Sequence, residues 1–348
     1  MILVTGGTGL VGSHLLLELR DSQEKIRAIY RDPEKRQETK RTFSYYLPEA
    51  ESQSLFERIE WKQADITDIP ALETAFEGVT RVYHAAALVS LDPSREGQMR
   101  KYNIEGTANI VNCCIAHGVE KLCFVSSIAT LDSDLGKTIS ETSYWNKEKD
   151  HSAYAISKYG AETEVWRGGQ EGLEVVIVHP GVIIGPGSWD RGTGLIFKKI
   201  SNGLSWYVPK ITGFVGAVDV ARIMRLVMDA PIRNENFVLV AESLSLKNIF
   251  EKVAAHLGRK APTHRVRPWM LLTAWALERM FGLVLNREQR LNRRSWKSLY
   301  GTEVYSSEKL SGVLAYRFTP IGEVIRFTAE CFRSDFNGSY PAGRKPSD

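Results

Sequence analysis

The sequence predicts an α/β fold in which helices cover both faces of a doubly wound parallel sheet, with a smaller and mostly helical C-terminal region. Short β-branched runs alternate with helical patterns through the first half of the chain, and a glycine-rich loop follows the first run. Strands that alternate with helices are joined by right-handed crossovers, which makes them parallel. After His179 the pattern changes to glycine- and proline-rich loops. Such loops at the carboxyl ends of strands are typical of substrate sites.

The individual elements follow from this alternation. Strands are predicted at residues 2–5, 26–30, 59–63, 81–85, 121–126, 173–179 and 236–240. Helices are predicted at residues 10–20, 103–117, 218–228, 246–257 and 320–332. A long charged and aromatic connection, residues 34–57, is predicted to be helical and exposed.

Length and composition exclude several protein classes. The 348 residues correspond to about two domains of ~150 residues, or to one large enzyme fold with a cap. Hydrophobic residues at 43% and charged residues at 25% argue against a disordered, collagen-like or coiled-coil chain. A net charge of +4 is weak over this length and predicts no nucleic-acid partner.

The cysteines and the N-terminus predict a cytoplasmic protein without a metal. The four cysteines form no CxxC pair and no Cys/His spacing typical of zinc, so we interpret them as small buried hydrophobic residues in a reducing compartment. The apolar run after Met1 ends in a glycine loop rather than in the cleavage site of a secretory leader.

The glycine loop predicts a dinucleotide site. The first strand runs into Thr5-Gly6-Gly7-Thr8-Gly9-Leu10-Val11-Gly12 and then into a helix. Gly6 permits the tight turn, Gly9 lets the backbone approach a pyrophosphate, and Gly12 lets the helix pack closely on the strand. The helix N-terminus then offers free N–H groups to the phosphates. The alternative is a glycine-rich turn without a ligand.

The end of the second strand favours NADP over NAD. Arg31 stands where an acidic residue would bind the ribose hydroxyls of NAD, and Lys35 and Arg36 follow. A guanidinium matches the 2′-phosphate of NADP through paired bonds. Asp32 could bind ribose hydroxyls or cap the next helix, and Arg31 could be a solvated surface charge, so NAD stays the alternative.

Two further strand ends are candidates for cofactor contact. Asp65 and Ile66 follow the third strand, where a carboxylate can meet the adenine amino group; a turn or cap role for Asp65 is the alternative. The small residues Ala85, Ala86 and Ala87 end the fourth strand and let the backbone approach the cofactor. The preceding His84 is interpreted as structural rather than catalytic.

A Tyr/Lys pair on one helix face predicts proton transfer. Tyr154 and Lys158 are spaced i,i+4, so the phenol and the ammonium share a face. The ammonium is expected to lower the tyrosine pKa and let the phenol exchange a proton near neutrality. Ser127, with Ser126 as the second choice, ends the fifth strand and can polarise a substrate carbonyl.

Together these residues resemble the extended short-chain dehydrogenase/reductase family, also called the NAD-dependent epimerase/dehydratase family. The motifs are TGGTGLVG, ADI, HAAA, YNIEGT, FVSS, YAISK and HPGVIIGPG, in this order over about residues 1–260. The resemblance implies cofactor contacts at Pro180, Gly181, Val182 and Ile183. It implies a position near the active site for Asn103, as part of a proton relay or as a structural residue that holds a helix kink.

The resemblance is greatest to dihydroflavonol reductases and their relatives, cinnamoyl-CoA reductases and 3β-hydroxysteroid dehydrogenases. Arg31-Asp32-Pro33 resembles their NADP-specific element, and HPGVIIGPG resembles their loop after the sixth strand. It implies a Rossmann domain that binds NADP at residues 1–180, completed by about 214–242. A substrate-binding region follows at 181–213 and 243–337, and residues 338–348 are expected to be a disordered tail.

The expected function is hydride transfer between NADP(H) and a carbonyl or alcohol of a moderately hydrophobic small molecule. The alternatives are a nucleotide-sugar epimerase or dehydratase, and a cofactor-sensing regulator without activity. The intact Tyr154/Lys158 pair argues against the regulator, because a sensor does not need it.

The apolar residues 268–285 and their basic sequel to residue 297 admit three interpretations. They can form a buried helix that lines the pocket, the interface of a homodimer, or a segment that binds a membrane surface. The apolar run is shorter than the ~20 residues that a membrane span needs. We favour the buried helix.

Overall fold

The computed structural model describes residues 1–90, 92–132, 138–267, 269–270 and 300–337. Its strands, in chain order, are β1 (Ile2–Thr5), β2 (Ile26–Tyr30), β3 (Glu60–Gln63), β4 (Arg81–His84), β5 (Lys121–Val125), β6 (Glu174–Pro180), β7 (Val182–Ile184), β8 (Trp206–Tyr207), β9 (Ile211–Gly216), β10 (Glu235–Leu239), β11 (Glu242–Ser245) and β12 (His264–Arg265).

The helices surround and extend this framework. They are α1 (Leu10–Glu18), α2 (Lys35–Ser44), α3 (Glu49–Arg58), α4 (Ile69–Phe76), α5 (Glu96–Met99), α6 (Gly106–Ala116), α7 (Ala153–Gln170), α8 (Gly194–Ser201), α9 (Ala217–Asp229), α10 (Leu246–Leu257), α11 (Glu308–Leu314) and α12 (Ile321–Asn337). A π-helix at Arg100–Glu105 joins α5 to α6, and a 3₁₀ turn at Ile128–Thr130 follows β5.

Seven strands form one parallel sheet in the order β3-β2-β1-β4-β5-β6-β10. Every neighbouring pair is parallel, and the order reverses direction at β1. This confirms the predicted doubly wound fold. Because the strands run in one direction, all their carboxyl ends lie along one edge, where a ligand crevice forms at the reversal.

Two cores cover the two faces of the sheet. Alternate residues of a strand point to opposite faces. Thus Ile2 and Val4 of β1 join one cluster with α1 and α9, while Leu3 joins the other cluster with α4, α6 and α7. The four cysteines are free and buried.

The connection between β2 and β3 is helical, as predicted, but the prediction that it is exposed is wrong. Helices α2 and α3 bury Phe43 and Tyr45, which are at most 2% exposed. The Tyr45 hydroxyl and the Trp189 indole N–H both donate to Oδ2 of Asp335, at 2.5 and 2.6 Å. The charged residues hide an apolar face that packs between α1 and α12, so the connection links the sheet to the C-terminal region.

The C-terminal region contributes two smaller sheets and a third core. Strands β7, β9 and β11 form one sheet, and β8 pairs with β12. Helices α8, α10 and α12 enclose a core that includes Phe197, Ile249 and Phe332. The division into two domains stays a prediction. The tail 338–348 lies outside the described residues, as does the segment 268–297 except Trp269 and Met270. Within the described residues, no helix is both long and apolar enough to cross a membrane.

Candidate active site

The phosphate loop is shaped by contacts that only glycine allows. Gly6 has a φ of +69°, and a Cβ there would lie 2.7 Å from the backbone nitrogen of Ala86. A Cβ on Gly12 would lie 2.1 Å from the Gly6 carbonyl oxygen. The backbone of the loop therefore packs against the backbone at the end of β4. This brings the predicted glycines and alanines together, and we call this group of residues the cradle (Gly6, Gly9, Gly12, Ala85, Ala86 and Ala87).

Helix α1 begins at this loop without a side-chain cap. Gly9 is its N-cap, and no side chain of the described residues caps the first turn. A helix start of this kind leaves backbone N–H groups and a partial positive charge for an anion. Thr8, Leu10 and Val11 lie in the same turn. The cradle and the helix start fit the pyrophosphate of a dinucleotide.

Sequence reasoning missed Arg191, which lies between β7 and α8 and contacts the phosphate loop. Its guanidinium pairs with Glu38 of α2 and lies 3.5 Å from the Thr8 carbonyl oxygen. A lone arginine in a glycine-rich stretch carries no pattern, so no sequence signal could have found it.

His84 is structural, as the sequence analysis interprets it. It is fully buried, with Nδ1 2.6 Å from the Thr5 hydroxyl and Nε2 2.9 Å from that of Thr107. The Thr5 oxygen also accepts from the Ala86 N–H at 3.2 Å. Burial lowers the pKa of His84 to about 3, and the Lys158 charge adds to this. The neutral ring thus joins β1, β4 and α6 through its hydrogen bonds next to the cradle.

Acid should destabilise the fold through His84. Since its folded pKa lies below the unfolded value, the unfolded chain binds a proton that the folded chain does not, so stability is lost as pH falls from about 6.5 toward 3. At pH 5 we expect a loss of about 2 kcal/mol from this residue. Urea unfolding at pH 7 and pH 5 measures it. His84→Gln should shrink the loss, whereas the exposed-site control His264→Gln should not; equal losses in all three proteins would contradict the assignment.

The end of β2 holds a half-exposed arginine over an aromatic ring. The Arg31 guanidinium lies 4.8 Å from the centre of the Tyr102 ring and 3.7 Å from Oδ2 of Asp65. Asp65 Oδ1 accepts from the Thr67 N–H and hydroxyl, at 2.9 and 2.8 Å, so this oxygen serves a turn. Arg31, Asp65 and Tyr102 therefore meet beside the ends of β2 and β3.

The neighbouring Asp32 serves the backbone. Its Oδ1 accepts from the Glu34 N–H at 3.1 Å, and its Oδ2 lies 3.7 Å from Lys35. Asp32 thus belongs to the turn before α2 rather than capping it, since Glu34 is the N-cap of that helix and no side chain in the described part of the chain caps it. Arg36 lies 4.6 Å above the Tyr30 ring, beside the same strand end.

Three predicted catalytic residues meet where β5 ends. Ser127 is the N-cap of the turn after β5, and its hydroxyl accepts from the Ala129 N–H at 3.1 Å. Tyr154 lies in the first turn of α7 and is hydrogen-bonded to Ser127. Lys158, one turn later, is 2% exposed and donates to the Val125 carbonyl oxygen at 2.7 Å. The phenol and the ammonium thus share one face of α7, and the Ser127 hydroxyl faces the phenol from the end of β5.

The electrostatics differ from the expectation at Tyr154. Burial raises the pKa of Tyr154, and the hydrogen bond from Ser127 opposes it only partly. Burial also lowers the pKa of Lys158 to about 7, with the Glu162 charge opposing this shift. The sequence could not reveal the result, because desolvation depends on packing. The phenol therefore keeps its proton at neutral pH and is ready to act as an acid.

Asn103 is held in the π-helix by three hydrogen bonds. Its Oδ1 accepts from the Leu88 N–H at 2.7 Å, and its Nδ2 donates to the Leu88 carbonyl oxygen at 3.0 Å and to the Ser157 hydroxyl at 2.9 Å. It is 1% exposed. This geometry favours the structural alternative: Asn103 fixes the segment after β4 against α7.

The last predicted cofactor residues lie at the end of β6. Gly181 donates its N–H to the Leu239 carbonyl oxygen at 3.0 Å, and a Cβ there would lie 2.5 Å from the Gly213 carbonyl oxygen. Pro180 ends β6, while Val182 and Ile183 begin β7. Ile66, after β3, is fully buried and contacts the position of Gly106. Its side chain therefore supports the fold, and its carbonyl oxygen accepts from the Asn109 amide at 3.0 Å.

Comparison with known proteins decides the family. A model of the NAD dependent epimerase/dehydratase family matches residues 2–239, which is more than half of the chain. The chain belongs to this family. The match covers the phosphate loop, the Tyr154/Lys158 helix and the sheet through β10. This confirms the recognition made from the motifs, and it identifies the chain as a nicotinamide-dependent enzyme of the extended short-chain dehydrogenase/reductase type.

Individual relatives agree with this assignment. A Synechocystis protein assigned as a dihydroflavonol 4-reductase is 30% identical over 287 residues, which cover 80% of this chain and 78% of the relative. Tetraketide alpha-pyrone reductase 2 of Arabidopsis thaliana is 30% identical over 245 residues, 66% of this chain and 74% of the relative. The crystal structure of gox2253 superposes with a TM-score of 0.79 at 26% identity and covers 96% of this chain and 98% of that protein.

Proposed function

We propose that this enzyme uses NADP(H) to reduce a carbonyl group of a moderately hydrophobic small molecule, or to oxidise the corresponding alcohol. The observation that carries the proposal is the meeting of Tyr154, Ser127 and Lys158 beside the cradle. Two relatives named as reductases of dihydroflavonol and of tetraketide alpha-pyrone support the substrate class.

The chain's residues supply the proton and the geometry. When bound, the cofactor supplies the hydride. Tyr154 donates its phenolic proton to the oxygen that develops negative charge, and its raised pKa keeps that proton in place before reaction. The Ser127 hydroxyl donates to the same oxygen and orients the carbonyl. The Lys158 ammonium stabilises the phenolate that Tyr154 leaves behind and can hold the nicotinamide ribose.

The preference for NADP rests on the charge at the end of β2. Arg31 is 51% exposed at its side chain and lies over the Tyr102 ring, so its guanidinium is accessible at the end of β2, where the adenosine of a bound dinucleotide would lie. Asp32, the residue that could favour the ribose hydroxyls of NAD, is engaged with the backbone of Glu34. A planar guanidinium can bind a 2′-phosphate through two parallel hydrogen bonds.

Arg31→Glu should reverse the cofactor preference. The carboxylate repels the 2′-phosphate and offers oxygens to a ribose diol, so the Kd for NADPH should rise at least ~10-fold while the Kd for NADH falls or holds. Fluorescence titration of both cofactors measures this. Arg317→Glu makes the same charge change at an exposed position outside the site and should alter neither Kd. A parent protein that already binds NADH more tightly would contradict the assignment of Arg31.

Product analysis tests the reaction itself. The enzyme is incubated with NADPH and a panel of aromatic and alicyclic carbonyl compounds, and in parallel with UDP-sugars and NAD. The proposal expects alcohol products with consumption of NADPH. Epimerised or dehydrated sugar with no net consumption of cofactor would instead establish the nucleotide-sugar alternative.

A further inference from the structure

A buried carboxylate lies one helical turn beyond Lys158. Glu162 of α7 is 8% exposed, and its Oε2 accepts from the Ser126 hydroxyl at 2.7 Å and from the Thr130 hydroxyl at 3.0 Å. Its Oε1 accepts from the Trp166 indole N–H at 3.4 Å. Burying a carboxylate is costly unless it is hydrogen-bonded and paired with a positive charge. The hydrogen bonds to Glu162 therefore stabilise its negative charge.

The two hydroxyls that bind Glu162 flank Ser127 in sequence. Ser126 follows the last residue of β5, and Thr130 ends the turn after it. The Thr130 hydroxyl also lies 2.9 Å from the Ser127 carbonyl oxygen, which it can donate to, and 3.2 Å from Nδ1 of His179. One carboxylate on α7 thus holds both sides of the residue that faces the substrate, while Tyr154 projects from the same helix.

We propose that Glu162 is a positioning residue of this active site, which fixes Ser127 relative to Tyr154 and holds Lys158 in its ammonium form. The inference rests on the proposed function for its catalytic meaning, but its two physical effects can be measured without turnover. Glu162 touches neither substrate nor cofactor in this role; it acts through Ser127 and Lys158.

The groups that surround Lys158 show which of them affects its protonation. From β5, Lys158 meets the Val125 carbonyl oxygen at 2.7 Å and the Phe124 ring at 4.3 Å. From β4, the His84 ring is neutral, because its pKa is about 3. On β6, Nδ1 of His179 lies 3.7 Å from Oε2 of Glu162.

On its own helix, Lys158 has Tyr154 one turn before it and Glu162 one turn after it. Burial lowers the pKa of Lys158 to about 7, and among these neighbours Glu162 supplies the negative charge that raises it. Without that charge the pKa of Lys158 would be lower, so the Tyr154 phenolate would lose part of its counter-charge.

Glu162→Gln separates the charge from the shape. The amide is isosteric but neutral, so the pKa of Lys158 should fall by about one unit or more. Lysine-selective ¹³C NMR titration measures this directly, with the Lys158 resonance assigned from Lys158→Arg. In turnover, kcat should fall at least ~10-fold at pH 8 and the alkaline limb of its pH profile should move down by the same shift, while KM changes little.

Two further variants complete the test. Glu162→Asp keeps the charge and shortens the reach to the hydroxyls, so kcat should fall while the pKa of Lys158 holds. The double variant Ser126→Ala/Thr130→Val keeps the carboxylate and removes both hydroxyls, so kcat should again fall while the pKa of Lys158 holds. This variant tests the positioning of Ser127 if Glu162→Gln does not fold. Glu164→Gln, which removes a half-buried carboxylate paired with Arg167 on the same helix, is the matched control and should change neither quantity.

The outcomes distinguish this inference from the proposed function. An unchanged Lys158 titration in Glu162→Gln overturns the inference, whatever the enzyme turns over. A shifted titration with no carbonyl reduction by the parent protein overturns the proposed function and leaves the charge role of Glu162 established. A shifted titration with an unmoved pH profile of kcat shows that Lys158 is not the group that limits turnover, and it overturns the catalytic part of the inference.

Discussion

Tyr154→Phe should lower kcat by at least ~10²-fold and leave the cofactor Kd nearly unchanged. The phenol interacts with Ser127 and is the proposed acid, and general acid catalysis contributes about 10²–10⁴-fold to a rate. The ring stays in place, so the packing of α7 and the neighbouring Lys158 are preserved. Steady-state turnover with NADPH gives kcat, and quenching of intrinsic fluorescence gives the cofactor Kd.

The control for this variant is Tyr144→Phe. Tyr144 is 87% exposed and lies before α7, so the loss of its hydroxyl should not change kcat. Near-normal turnover by Tyr154→Phe would show that another group, or water, delivers the proton. A large rise in cofactor Kd without a change in kcat would assign Tyr154 to binding rather than to chemistry.

Gly12→Ala should abolish tight cofactor binding and destabilise the fold. The added Cβ would lie 2.1 Å from the Gly6 carbonyl oxygen and 2.9 Å from the Gly7 Cα. Both are backbone atoms that no rotamer change can move, so the phosphate loop must shift away from α1. We expect the cofactor Kd to rise at least ~10-fold and the free energy of unfolding to fall by about 1–3 kcal/mol, the usual range for overpacking.

Gly97→Ala is the matched control, because this glycine also lies in a helix. A Cβ at position 97 would meet no heavy atom of the described residues within 4 Å. In helix α5 alanine is favoured over glycine by about 0.5–1 kcal/mol, so this variant should be neutral or slightly more stable. Urea unfolding and cofactor titration of both variants give the comparison. If Gly12→Ala kept the parent Kd, the cradle would not be the pyrophosphate site.

The sequence alone predicted the sheet because its signals are local. The strands at residues 2–5 and 26–30 were predicted to the residue, and the other predicted strands differ by one residue at one or both ends. Alternating β-branched runs, glycine spacing and the i,i+4 Tyr/Lys pair are short-range patterns that survive without any tertiary information. They were also specific enough to identify the family.

The sequence was less informative where charged residues hide an apolar face. Helices α2 and α3 were expected to be exposed, because their composition is charged. Phe43 and Leu55 pack in the core with α1, and Tyr45, which follows α2, contacts α12. Asp335 on α12 lies 290 residues from its partner Tyr45. A contact between segments so far apart in sequence leaves no periodic pattern in either segment.

The chemical state of the site was decided by the tertiary structure. Residue types at a given spacing determined that a phenol, a hydroxyl and an ammonium would be near one another. Their pKa values depend on how much water and charge surround them, and those surroundings come from β4, β5, β6 and α7 together. Thus the sequence by itself determined the family, the fold and the candidate acid Tyr154. Packing alone decided that Lys158 is desolvated and that Glu162, which no motif singled out, lies close enough to oppose that desolvation.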